Sequence, residues 1–125
     1  MRILIVDDSK VARINVKRAI PKHMMEINII DIARNGQEAI DKFKEEPYDL
    51  VFMDLTMPIK NGYEATKEIV ALGKKVYIII VTADIQNNGV KLAMESGADS
   101  VIEKPIDKNK LNRSLIEFFK RDKKE

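Results

Sequence analysis

An α/β fold, with one open parallel sheet covered by helices on both faces, is predicted from three observations. Five short apolar runs rich in β-branched residues, each about strand length, recur along the chain. Stretches with helical apolar spacing separate these runs and follow the last, so the elements alternate βαβαβαβαβα. Three of the runs are nearly continuous in apolar residues, as strands covered on both faces are. The 125 residues fit one domain, read as residues 1–125, with enough chain for a proper core.

The first run, MRILIV (1–6), is too short for a signal sequence, and two aspartates follow it without a small-residue cleavage site. A helix is expected after Asp8, with Ser9 near its N-cap, Val11, Ile14 and Arg18 with Ala19 marking its stripe, and Pro21 ending it. His23, in PKHMME, reads as a solvated loop histidine; Met24, Met25 and Met94 read as core filler. INIIDIA (27–33) has polar interruptions and belongs near an edge of the sheet. NGQEAIDKFKEE puts Ala39, Ile40 and Phe43 on one stripe, and Pro47 stops that helix.

DLVFM (49–53) is the third strand. Gly62 opens a helix with Ala65, Ile69 and Val70 or Leu72 inward, closed by Gly73. VYIIIV (76–81) is the fourth strand. NNGVKLAMESGA places Val90, Ala93 and Met94 together and ends at Gly97. SVIE (100–103) precedes a last helix with Leu111, Leu115, Phe118 and Phe119 on its packed face. Tyr63 and Tyr77 are expected to pack on the helix after Gly62 and on the sheet. The ending KRDKKE reads as a solvated helix end.

Composition excludes several function classes. There is no cysteine, hence no disulfide, thiol catalysis or thiolate zinc site, and a reducing, cytoplasmic setting is expected. A net charge of +2 is too balanced to argue for a nucleic-acid footprint. No stretch approaches transmembrane length, so membrane insertion is not expected.

In folds of this kind the reactive crevice lies at the carboxyl ends of the strands. Asp7 and Asp8 follow the first run, Asp54 the third, Thr82 the fourth, and Lys104, with Pro105 beside it, the fifth. Each has an ordinary explanation on its own. Acids favour helix N-termini, Asp54 precedes a turn, Lys104 suits a surface and Thr82 a strand end. In register with four strands they read as one site. Three carboxylates at one end of a sheet repel one another without a cation, and hard oxygen ligands in this number suit Mg²⁺. Lys104 adds a second positive group. Metal and lysine neutralise the oxygens of a phosphoryl group, and the Thr82 hydroxyl can donate to it. Aspartate is a competent nucleophile for phosphoryl transfer. Asp54 is therefore read as the group that is phosphorylated.

The segments ILIVDDS, FMDLTMPIKNGYEA, IIIVTADI and GADSVIEKPI resemble the receiver domain of two-component response regulators, over essentially the whole chain. The resemblance implies a flavodoxin-like, doubly wound sheet of five parallel strands in order 2-1-3-4-5, with five helices. It implies Asp54 as phosphoacceptor, Asp8 as a direct Mg²⁺ ligand, Asp7 holding the ion through water, and Thr56 offering its backbone carbonyl. Thr82 and Lys104 would bind the phosphoryl oxygens. Ala83 is small where the phosphodonor approaches, and Thr56 and Asp84 tune how long the phosphoryl group survives.

The implied donor is a sensor histidine kinase, and the implied output is a phosphorylation-dependent protein target or phosphatase engaged in trans. A monomer or weak dimer, pairing through roughly residues 87–120, would go with this. The only reactions expected are the protein's own phosphorylation and dephosphorylation. Val101 departs from the family, which usually carries Tyr or Phe three positions before the Lys-Pro pair. A chemotaxis-type regulator fits, with DLTMP leaning that way, and so does a phosphorelay intermediate.

Two other classes compete. A phosphohydrolase of the haloacid-dehalogenase-like kind uses the same Asp, Thr and Lys chemistry, but its nucleophile ends the first strand in Asp-x-Asp. Here Leu55 and Thr56 follow Asp54, which leaves out the acid/base aspartate, and the chain is short for a cap. Nucleotide binding would need a glycine-rich loop after the first strand, where DDSKVA stands.

Overall fold

Residues 1–85 and 88–123 are described by a computed structural model. The apolar runs form β1 (Arg2–Val6), β2 (Ile29–Ala33), β3 (Leu50–Met53), β4 (Tyr77–Thr82) and β5 (Ser100–Glu103). The helices are α1 (Lys10–Ala19), α2 (Lys22–Ile27), α3 (Gly36–Glu45), α4 (Gly62–Ala71), α5 (Gly89–Glu95) and α6 (Lys108–Lys123). All pairings are parallel and the order is β2-β1-β3-β4-β5. Asn87, from the segment NNGVKLAMESGA, and Lys124 and Glu125, from the charged tail, lie outside the described residues.

Alternation along the strands splits the interior into two cores. Leu4, Val6, Val51, Met53, Ile78 and Ile80 face one side, covered by Ala39, Ile40 and Phe43 of α3, Ala65 and Ile69 of α4, and Ala93 of α5. Ile3, Ile5, Leu50, Phe52, Ile79 and Val81 face the other, covered by Val16 and Ala19 of α1, Met24 of α2, and Leu111, Leu115 and Phe118 of α6. β3 and β4 are buried along their whole length, which is why their sequences carry no polar alternation. β2 lies at the sheet edge beside β1 and is half exposed, as its polar interruptions foretold.

Side chains cap four of the helices. Ser9 Oγ accepts from the Ala12 N–H at 3.2 Å, Asn35 Oδ1 from Glu38 at 2.8 Å, and Asn61 Oδ1 from Glu64 at 3.0 Å. At α6, Asp107 Oδ1 accepts from the Lys110 N–H at 2.8 Å. Pro47 and Gly73 lie just past helix ends, and Gly73 takes a positive φ of 75°.

Three expectations need correction. Six helices occur among the described residues, not five, because α2 forms where a loop was expected. Pro21 ends the first helix and then serves as N-cap of the next. His23 is accordingly exposed on a helix, and the second strand starts at Ile29 rather than Ile27.

The inward stripes also differ. Val16 and Ala19 are buried in α1, while Val11 is 67% exposed and Ile14 is also exposed. Val16 follows Val11, and Ala19 follows Ile14, by five residues, a rotation of about 140°, so apolar residues mark more than one side and spacing alone is degenerate there. Thr66, rather than Val70 or Leu72, accompanies Ala65 and Ile69. Val90, Met94 and Phe119 are exposed, so Met94 is not core filler.

Candidate functional site

Val6 and Met53 are register partners in the β1–β3 ladder, so the next residues, Asp7 and Asp54, leave adjacent strands side by side. The Asp54 N–H donates to the Val6 carbonyl at 3.0 Å, carrying the ladder one step further. Across the sheet Thr82 pairs with Glu103, and the Lys104 N–H donates to the Thr82 carbonyl at 2.8 Å. Strand register alone thus brings Asp7, Asp54, Thr82 and Lys104 to one edge.

The loop leaving β3 is clamped over the site. The Gly62 N–H donates to the Leu55 carbonyl at 2.9 Å, and the Gly36 N–H to the Lys60 carbonyl at 3.0 Å. A Cβ at Gly62 would run into the Asp54 carbonyl, and one at Gly36 into the Lys60 carbonyl. Both positions need glycine because backbone approaches backbone there. Within this loop Ile59 takes φ 70° and the Lys60 N–H donates to the Pro58 carbonyl at 2.7 Å, a γ-turn that costs a β-branched residue strain.

Ligand oxygens of Asp7, Asp8 and Asp54 all lie within 4.8 Å of one another. Asp7 and Asp54 are buried and Asp8 is exposed. Lys104 Nζ donates to Asp7 Oδ2 at 2.8 Å and reaches Asp54 Oδ1 at 3.4 Å, so one ammonium serves two buried carboxylates. Burial pushes the Asp54 carboxyl up to about 6 and the Asp7 charge adds to the rise, against the pull of Lys104. Burial opposes the Lys104 charge, yet its hydrogen bond to Asp7 and the Asp54 charge outweigh that and raise its pKa.

The acidic groups outnumber the cation, and every donor is a hard oxygen. A set of this kind fits a small divalent ion such as Mg²⁺ better than a soft metal. No other group of three such ligands occurs among the described residues. Thr82 is buried, and its Oγ1 accepts from the Asp84 N–H at 3.1 Å. Its hydroxyl hydrogen is then left to point elsewhere. Thr56, Ala83 and Asp84 are exposed in the loops leaving β3 and β4, at the rim rather than in the carboxylate cluster. Val101, in β5, is half-buried against the core covered by α3, α4 and α5.

Sequence reasoning missed the residues that hold Asp7 in place. The Ser9 N–H donates to Asp7 Oδ1 at 2.9 Å, and Arg13 Nη1 to the Asp7 carbonyl at 2.7 Å. Nothing in the spacing marks Arg13. The tight approach of Gly36 was missed too, although NGQEA and NGYEA present the same Asn-Gly pair before Glu38 and Glu64.

A family model described as the response regulator receiver domain matches residues 3–116. The chain is 43% identical over 107 residues to the chemotaxis protein CheY of Halobacterium salinarum, covering 86% of this chain and 87% of the relative. Its fold resembles that in the CheX-CheY-BeF3-Mg²⁺ complex of Borrelia burgdorferi, with a TM-score of 0.84, 30% identity, and coverage of 95% and 89% of the two chains. It also resembles a chain of the Saccharomyces cerevisiae complex of the histidine phosphotransfer protein Ypd1 with the Ssk1 receiver domain. That TM-score is 0.82, with 28% identity and coverage of 94% and 88%. Strand order, a carboxylate cluster at the strand ends and these likenesses agree: the chain belongs to the response regulator receiver domain family.

Proposed function

We propose that residues 1–125 act as one receiver unit in which Asp54 accepts a phosphoryl group from a sensor histidine kinase. Family membership supports the signalling role. The observation that carries the residue assignment is the Lys104 ammonium shared between Asp7 and Asp54, beside three carboxylates gathered at the strand ends. A carboxylate oxygen of Asp54 attacks phosphorus, the bond from phosphorus to the donor imidazole breaks, and the imidazole leaves with the bonding electron pair. Asp8, Asp54 and the Thr56 carbonyl would hold Mg²⁺, with Asp7 acting through water. The ion supplies charge neutralisation for the phosphoryl oxygens.

Lys104 follows those oxygens once Asp54 is an acyl phosphate, and the Thr82 hydroxyl donates to them. Turnover is the reverse in kind: water attacks phosphorus, the bond to Asp54 breaks, and inorganic phosphate leaves. Thr56, Ala83 and Asp84 stand at the rim where that water and the donor must enter, which supports their role in setting the lifetime. The protein then catalyses only its own phosphorylation and dephosphorylation.

Output is proposed to be a protein target or phosphatase bound in trans by a monomer or weak dimer in the cytoplasm, without nucleic acid. The identity to a chemotaxis protein favours a chemotaxis-type pathway, and the likeness to the Ypd1 complex keeps a phosphorelay role as the second reading. No helix among the described residues is long and apolar enough to cross a membrane.

The test is intact-protein mass after incubation with acetyl phosphate, with and without Mg²⁺, beside Asp54→Asn. A Mg²⁺-dependent gain of one phosphoryl group in the wild type alone is expected. Equal labelling of the variant would overturn the assignment of Asp54.

A further inference from the structure

Every polar backbone and side-chain group of Asp7 has a partner. Its N–H donates to the Ala33 carbonyl at 3.1 Å, Oδ1 accepts from Ser9 and Oδ2 from Lys104. Its carbonyl lies past the last pair of the β1–β3 ladder, and a side chain satisfies it instead: Arg13 Nη1 donates to it at 2.7 Å. The half-buried Arg13 reaches back from the start of α1 over the turn that carries both acids.

We propose that Arg13 is a positioning residue of the cation site, fixing the peptide plane between Asp7 and Asp8. This rests on reading the acidic cluster as a Mg²⁺ site. The Asp7 carbonyl and the Asp8 N–H belong to one planar unit, so a bond to that carbonyl sets the direction in which the Asp8 chain leaves the turn. Asp8 has no hydrogen bond or ion pair of its own among the described residues, and its carboxylate is exposed. Only the backbone aims it. Groups behind the first ring of ligands act in this way in metal sites generally, and their loss costs about 10-fold to 100-fold in metal affinity.

Charge and position predict opposite signs here. The guanidinium is a cation beside a cation site, so if its charge mattered most, removing it would tighten Mg²⁺ binding. If its hydrogen bond matters most, removing it loosens binding. Titration calorimetry with Mg²⁺ alone, at fixed ionic strength, separates the two in the wild type, Arg13→Met and Arg13→Lys. Arg13→Met is expected to bind Mg²⁺ about 10-fold more weakly. Arg13→Lys, which keeps a donor able to reach the same carbonyl, is expected to recover most of the loss.

Unchanged or tighter binding by Arg13→Met overturns the assignment, as does an equal loss in both variants. A wild type that does not bind Mg²⁺ overturns the cation-site reading itself, and the assignment with it.

Discussion

Asp54 and Asp7 share one ammonium group, and that shortage decides how the site behaves without a metal. The Asp54 carboxyl titrates at about 6 in the fold against 3.8 as a free side chain. Its charged form is therefore less favoured in the native state than in the unfolded chain. The stability this contributes is present below the unfolded value and is lost as pH rises through about 6. In chelator-containing buffer, Asp54→Asn should exceed the wild type in stability near pH 8 by about 2 kcal/mol, the full shift being worth about 3 kcal/mol before solvent screening. The difference should vanish near pH 3.5, and urea melts at the two pH values check both. A second imbalance sits in α4, where Thr66 is fully buried and its hydroxyl has no hydrogen-bond partner among the described residues. Thr66→Val keeps the shape and removes the stranded group, with an expected gain of about 1 kcal/mol in the same assay.

Between β3 and α4, the loop is the part most sensitive to a single atom. Gly62→Ala would drive a methyl group into the Asp54 carbonyl. The expected result is a loss of about 2 kcal/mol, in the range of overpacking, and slower phosphorylation because Asp54 is displaced. Stability and labelling rate both unchanged would contradict the clamp.

Strands were legible in the sequence because β3 and β4 are buried on both faces, leaving unbroken apolar runs; their order was legible only through the family resemblance. Helix faces were less so. α1 offers Val11 and Ile14 on one side and Val16 on another, with the expected Ala19 between them, and only packing against β1 chooses. α2 was hidden because Pro21 looks like a stop and is also a start. The site residues were legible wherever strand ends announced them. Arg13 and Gly36 were not, since their roles depend on contacts made only after the strands pair.

For the molecule as a whole, two cores fix the sheet, and the sheet edge gathers the charges. Stabilisation by a bound ion is a property of this assembled edge, because the unfolded chain holds Asp8 and Asp54 far apart. At Mg²⁺ a hundredfold above its dissociation constant, native stability should rise by about 2.7 kcal/mol. Asp8→Asn should lose most of that increment, as thermal melts with Mg²⁺ and with chelator would read. The proposed site of the phosphoryl group is Asp54 and no other residue. Borohydride reduction of the phosphorylated protein converts an acyl phosphate to an alcohol, and peptide mass mapping then locates it. Homoserine at position 54 alone is the predicted result; an intact Asp54, with the converted residue elsewhere, would contradict the account.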